Sequence, residues 1–153
     1  MNKIASFTID HLNLKAGLYV SRKDIKDSVT VTTFDMRITM PNREPVIDIP
    51  ALHTIEHLGA TYLRNSAIKD DVVYFGPMGC RTGCYILLFG DLESEDLYET
   101  VLSMCDFILD FNGEIPGAKP EECGNYSEQN LNMAKFYIKK YKEELANNKR
   151  FKY

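Results

Sequence analysis

The stretch Leu52-His53-Thr54-Ile55-Glu56-His57-Leu58 holds two of the chain's three histidines. On a helix, His53 and His57 fall four residues apart and share one face. Two neutral imidazoles at that spacing can grip one divalent metal ion. Glu56 follows His53 by three residues, so its carboxylate reaches the same face. The order His-x-x-Glu-His inverts the commoner zincin arrangement. The competing reading makes both histidines polar residues of an ordinary amphipathic helix. A core helix rich in histidine and without a metal is costly, because imidazole must be desolvated and paired.

Two histidines leave such an ion short of a ligand, since a catalytic site typically takes three protein ligands and keeps a position open. The candidates are carboxylates and the four thiols, Cys80, Cys84, Cys105 and Cys123. Cys123 stands in Glu-Glu-Cys-Gly-Asn, where the following glycine leaves its sulfur unhindered; an incidental loop thiol is the alternative. Cys80 stands in Gly-Pro-Met-Gly-Cys-Arg-Thr-Gly-Cys, among glycines that let a ligand approach the backbone. A turn end beside Arg81 favours a lowered thiol pKa. Cys84 cannot bridge to Cys80 along a strand, because four strand residues span about 13 Å. It reads as packing. No Cys-x-x-Cys pair occurs, which argues against a zinc ribbon and a thioredoxin-like site.

The elements that must position these groups follow from periodicity. Pro50 sits where a helix can start, and Leu52, Ile55, Leu58, Tyr62 and Leu63 recur at three- and four-residue steps over 51–65. Gly17 to Lys23 is a candidate strand. Ser28 to Met40 is a stronger one, rich in Val, Thr, Ile and Phe in rough alternation. Arg37 inside it requires either solvent or an anionic partner, and solvent is the commoner answer. Pro41 to Pro50 reads as a loop. Val72–Phe75 and Tyr85–Phe89 read as strands, with a turn at Gly76–Gly79 and Cys80 directly after it. Ser94 is a candidate cap for a helix whose apolar stripe is Leu97, Val101, Met104, Cys105 and Ile108. Gly113 to Tyr126 is a long loop carrying Cys123. A last helix begins near Ser127 and buries Leu131, Ala134, Ile138, Tyr141 and Leu145. This order predicts an α+β fold with a mostly antiparallel sheet and helices packed on one face.

With 153 residues, the chain fits one domain spanning 1–153. Its 44% hydrophobic and 26% charged residues are ordinary for a globular protein that needs no disulfide staples. A net charge of -4 argues against a nucleic-acid partner. No apolar run is long enough to cross a bilayer, and no secretion signal is visible, so a cytoplasmic location is expected.

Taken together, His53-Thr-Ile-Glu56-His57, Pro77-Met-Gly-Cys80-Arg-Thr-Gly83 and Glu122-Cys123-Gly-Asn-Tyr126 resemble the three signature blocks of the S-ribosylhomocysteine lyase (LuxS) family. Ser6-Phe7 with Asp10-His11, and Phe34-Asp35-Met36-Arg37 with Pro41-Asn42, extend the likeness over almost the whole chain. It implies a homodimer with two sites at the subunit interface. It further implies Fe(II), replaceable by zinc or cobalt, held by His53, His57 and Cys123 with water in the open position. Glu56 and Cys80 match the acid/base pair, and Ser6, His11 and Arg37 match substrate-contacting positions, some supplied by the partner subunit. The implied substrate is S-ribosylhomocysteine, cleaved to homocysteine and 4,5-dihydroxy-2,3-pentanedione, the autoinducer-2 precursor. Carbonyl migration would precede β-elimination. Two departures stand out. Tyr74-Phe75-Gly76 replaces a segment usually led by aspartate, which bears on a polar contact to the homocysteine end. Cys84 stands where an aromatic or other residue is usual. Two rival readings remain: a metallopeptidase in which Glu56 activates water, and a metal-stabilised binding module with Cys80 as a fourth ligand.

Overall fold

A computed structural model describes Ile4 and residues 7–153. Four strands form one antiparallel sheet in the order β1-β2-β4-β3. They are β1 (Gly17–Lys26), β2 (Val29–Arg37), β3 (Val72–Pro77) and β4 (Gly83–Phe89). Three helices complete the fold, α1 (Ile49–Leu63), α2 (Ser94–Asp110) and α3 (Leu131–Asn148). The α+β expectation holds.

Strand parity decides what each face carries. Residues directly opposite across an antiparallel pair share a face. Leu18 pairs with Met36, Met36 with Cys84, and Phe34 with Ile86. These side chains join the buried residues of all three helices in one core. The alternate positions, Tyr19, Asp35 and Tyr85, lie across from one another on the other face. Cys84 and Cys105 belong to the core, as their patterning predicts. Burial pushes the Cys84 thiol well up and the Cys105 thiol up to about 12.

Helix α1 starts at Asp48, whose carboxylate accepts from the Ala51 N–H, with proline in the first turn. It lies so close to β3 that a Cβ on Gly59 would stand 2.3 Å from the Phe75 ring. Several boundaries differ from the sequence reading. Strand β3 runs on through Pro77, so the turn is Met78–Arg81, closed by the Arg81 N–H on the Met78 carbonyl at 2.9 Å. Cys80 is therefore inside the turn, not after it. Helix α2 is capped at Glu93, whose N–H is held by Asp96, and Ser94 is already its first residue, buried with an unpartnered hydroxyl. Helix α3 begins at Leu131, where Asn130 accepts from the Met133 N–H. Ser127 lies before it because a short side chain at 130 offers the first turn the better acceptor.

Candidate metal and proton-transfer site

Helix α1 turns His53 and His57 the same way, and the chain between α2 and α3 brings Cys123 to them. One ligand atom from each lies within 4.8 Å of the others. His53 Nε2 is 2.9 Å from His57 Nε2 and 3.4 Å from Cys123 Sγ. The other ring nitrogens face backbone carbonyls: His53 Nδ1 is 3.0 Å from the Glu128 oxygen, and His57 Nδ1 is 2.6 Å from the Pro116 oxygen. A carbonyl only accepts, so these contacts select the tautomer with the hydrogen on Nδ1, in which Nε2 is left bare. Two lone pairs are thus aimed at each other across 2.9 Å with no hydrogen between them. That arrangement is repulsive by itself. A cation bound to both nitrogens removes the repulsion, and a thiolate beside them suits the same ion. The residues fit a metal.

Sequence reasoning missed the groups that hold these ligands. Thr54, fully buried on α1, donates to Gln129 Oε1 at 2.7 Å and accepts the Asn130 N–H at 2.9 Å. Those bonds fix the start of α3, and with it the Glu128 carbonyl over His53. Gly117 has φ +76°, and a Cβ there would stand 3.1 Å from His57 Nδ1. The Cys123 N–H bonds the Lys119 carbonyl at 2.9 Å, and its sulfur faces the Asn125 N–H at 3.5 Å. Backbone acceptors leave no mark in a sequence; Gly117 was the one available signal.

Glu56 lines the same open cleft of about 550 Å³ as His53, His57 and Cys123, and Phe75 lines it too. It is not one of the clustered ligands.

Cys80 belongs to a second cluster. Arg37 does not face solvent, contrary to the commoner expectation; it is 2% exposed. Its partners across the sheet are Gly17 and Gly83. Asp35, 1% exposed, grips it with two bonds, Nε to Oδ1 at 3.0 Å and Nη2 to Oδ2 at 2.5 Å. Arg37 Nη1 donates to Thr82 Oγ1 at 2.6 Å and lies 3.8 Å from Cys80 Sγ. Because Thr82 accepts from Arg37, its own hydrogen is free for Cys80 Sγ, 3.2 Å away. Burial opposes ionisation of the Cys80 thiol, but Thr82 and the charge of Arg37 outweigh it, and the thiol lies below its ordinary value. The acting cation is Arg37 rather than the neighbouring Arg81. Burial also pushes the Asp35 carboxyl up, against the pull of Arg37. Arg37 in turn is held charged: burial opposes this, and Asp35 overcomes it.

The remaining site residues divide. His11 Nδ1 contacts the Ile9 carbonyl at 2.9 Å, and its charge acts on Asp35, so it belongs to the Arg37 side. Ser6 lies outside the described residues. Among the described residues, Cys80 is not in the ligand cluster, so the closed four-ligand site of a binding module is not formed.

The chain matches the family described as S-Ribosylhomocysteinase (LuxS) over residues 4–152. A protein from Finegoldia magna named S-ribosylhomocysteine lyase is 55% identical over 150 residues, covering 98% of this chain and 96% of that protein. One of the same name from Phocaeicola vulgatus is 56% identical over 146 residues, 95% of this chain and 91% of its own length. Another, from Clostridium acetobutylicum, is 54% identical over 148 residues, 96% of this chain and 94% of its own. This extent of likeness removes the metallopeptidase reading, and the chain belongs to the S-ribosylhomocysteinase (LuxS) family.

Proposed function

We infer that this protein is a lyase that cleaves the thioether of S-ribosylhomocysteine to homocysteine and 4,5-dihydroxy-2,3-pentanedione, the autoinducer-2 precursor. The observation that carries the reading is the pair of bare imidazole nitrogens 2.9 Å apart beside the Cys123 sulfur. His53, His57 and Cys123 would hold Fe(II), with zinc or cobalt able to replace it, since imidazole and thiolate suit all three. When bound, the ion supplies Lewis-acid polarisation of the sugar carbonyl, which acidifies the hydrogens beside it.

The chain's own groups then move the protons. Cys80, its thiolate favoured by Thr82 and Arg37, takes and returns protons as the carbonyl migrates from carbon 1 to carbon 3 of the opened sugar. Glu56 assists, then removes the carbon 4 proton. The electron pair left on carbon 4 expels homocysteine thiolate from carbon 5, and no redox partner is required. Arg37, His11 and Ser6 contact the substrate. Residues 1–153 act as one domain, in the cytoplasm, and two chains pair with their sites at the interface. The pairing surface we favour is the sheet face away from the helices, where Tyr74 and Phe89 are each 47% exposed. Among the described residues no helix is long and apolar enough to cross a membrane.

The deciding experiment incubates metal-loaded protein with S-ribosylhomocysteine and follows free homocysteine with a thiol reagent. Stoichiometric thiol release is expected, and none from protein stripped by a chelator. A mixture of His11→Ala and Cys80→Ala proteins recovers part of the activity if sites are shared between chains. An unrestored mixture of demonstrably exchanged subunits rejects the shared site.

A further inference from the structure

The bonds around Arg37 continue to a residue that the reaction above leaves unused. Tyr153 Oη donates to Asp35 Oδ2 at 3.0 Å. The ring stacks on Tyr19 with centroids 4.7 Å apart and planes 14° from parallel, and the hydroxyl also bonds Ser21. Half of Tyr153 faces solvent while its hydroxyl points inward to a carboxylate that is 1% exposed. Tyr153 also stands one position beyond the segment that matches the family, which ends at residue 152.

We propose that Tyr153 is a positioning residue for proton transfer at Cys80, its hydroxyl fixing the Asp35 carboxylate that holds Arg37 against the sulfur. The proposal rests on the role given to Cys80 above. A carboxylate turns easily about its last side-chain bond, where the torsional wells are broad. Two in-plane bonds to Arg37 need one orientation, and a third donor on Oδ2 selects it. The contact that depends on this is the loosest in the chain of bonds, Arg37 Nη1 to Cys80 Sγ at 3.8 Å. A slight rotation of the guanidinium breaks it. Burial and the Asp35 charge push the Tyr153 hydroxyl well up, so it remains a donor through the neutral range.

The charged and titratable groups around this centre are Asp35 and Arg37 on β2, Tyr19 and Arg22 on β1, Tyr85 on β4, Cys80 in the turn before it, and His11, Arg150 and Tyr153 beyond the sheet. Tyr153→Phe keeps the stacked ring and removes only the oxygen. Losing that donor leaves the charge of the Asp35 carboxylate less shielded and Arg37 less constrained, and both changes disfavour the thiolate. The test alkylates cobalt-loaded protein with iodoacetamide across a pH series, reads Cys80 by peptide mass, and measures kcat and KM in parallel. Cys84 and Cys105 are buried, so they stay silent.

For Tyr153→Phe the alkylation midpoint should rise by about half a pH unit, roughly a threefold loss of thiolate. We expect kcat to fall about 3–10-fold with KM within twofold, metal content and melting temperature being unchanged. Tyr153→Ala should shift the midpoint no further. A Phe variant identical to the parent overturns the proposal. So does an effect confined to the Ala variant, which would assign Tyr153 to packing. If the parent itself releases no homocysteine, the functional reading fails, and the alkylation midpoints still decide the positioning role.

Discussion

The ligands of the candidate metal site are aimed by groups that never touch the ion. Pro116 and Glu128 present carbonyls to the two Nδ1 atoms, and Gly117 keeps the space beside His57 open. Gly117→Ala should therefore act at a distance of one bond. Its φ of +76° disfavours any side chain, and the new methyl carbon would press on Nδ1 from 3.1 Å. We expect metal affinity to drop about 10–100-fold, the range for loss of a supporting contact, as measured by competition with a chromophoric chelator. The two reactive thiols should separate cleanly. Cys123→Ala loses metal and turnover together, whereas Cys80→Ala keeps the metal and loses turnover by at least about 100-fold. Metal analysis giving the reverse pattern means that the two sulfur roles are exchanged. The two histidines of the candidate triad were legible from their helical spacing, whereas Cys123 stood out from the other thiols only through the family resemblance. Arg37 was legible as an anomaly but not as a buried ion pair. The groups beside its partner Asp35, Tyr19 and Tyr153, come from far apart in the chain, and periodicity within one strand carries no information about them.

Strands β2 and β4 meet at a glycine that local sequence marks only as a turn former. At Gly83, a Cβ would stand 2.2 Å from the Met36 carbonyl oxygen, a backbone atom that cannot step aside. Gly83→Ala should thus force β2 and β4 apart just beside Arg37, costing about 3 kcal/mol. For a chain of this size that is roughly 6–12 °C in melting temperature, to be checked by thermal unfolding. The loop before α1 is anchored differently, by Glu44, which bonds the Met40 N–H and pairs with Lys140 on α3. Burial pushes the Glu44 carboxyl up, but Lys140 and the Met40 N–H hold it below its ordinary 4.5. A lowered carboxyl stabilises the fold above its unfolded value and loses that effect as pH falls through the folded one. The parent should therefore lose stability below about pH 4.5, while Glu44→Gln lacks the contribution throughout and shows a flatter acid limb. Lys140 is 41% exposed, so the difference at neutral pH should be only about 1 kcal/mol. Element types were readable from spacing, whereas their ends were not. Glu93 and Asn130 cap α2 and α3 in place of the serines that composition favours, and only the three-dimensional path of the chain decides between such neighbours.

Across the whole molecule, the candidate metal centre sits on α1 and the segment between α2 and α3, whereas Arg37 and Cys80 belong to the sheet and its turn. Glu56 on α1 and Asp35 on β2 both act on the buried Cys84 thiol of β4. The α+β class and the single core followed from alternation and amphipathic stripes. The path between α2 and α3 did not, since residues 111–130 form neither helix nor strand. That segment is joined to α1 through Cys123 and His53, 70 positions apart in sequence. An ion bound there closes a very long loop. At free metal a thousandfold above its dissociation constant, binding should add about 4 kcal/mol to stability, or roughly 8–16 °C in melting temperature. Calorimetry with and without chelator measures it, and an unchanged transition would reject a metal at these residues.

The irregular stretch carrying Cys123 has a practical corollary for the protein's survival. Glu114, Glu121 and Glu122 stand exposed along it, and beyond its own turns the backbone is tied to the fold by bonds to His53, Thr54 and His57 of α1. A glutamate-specific protease should nick chains that have lost their ion and spare loaded ones. Starvation for metal would then become destruction of the enzyme rather than a reserve of idle copies.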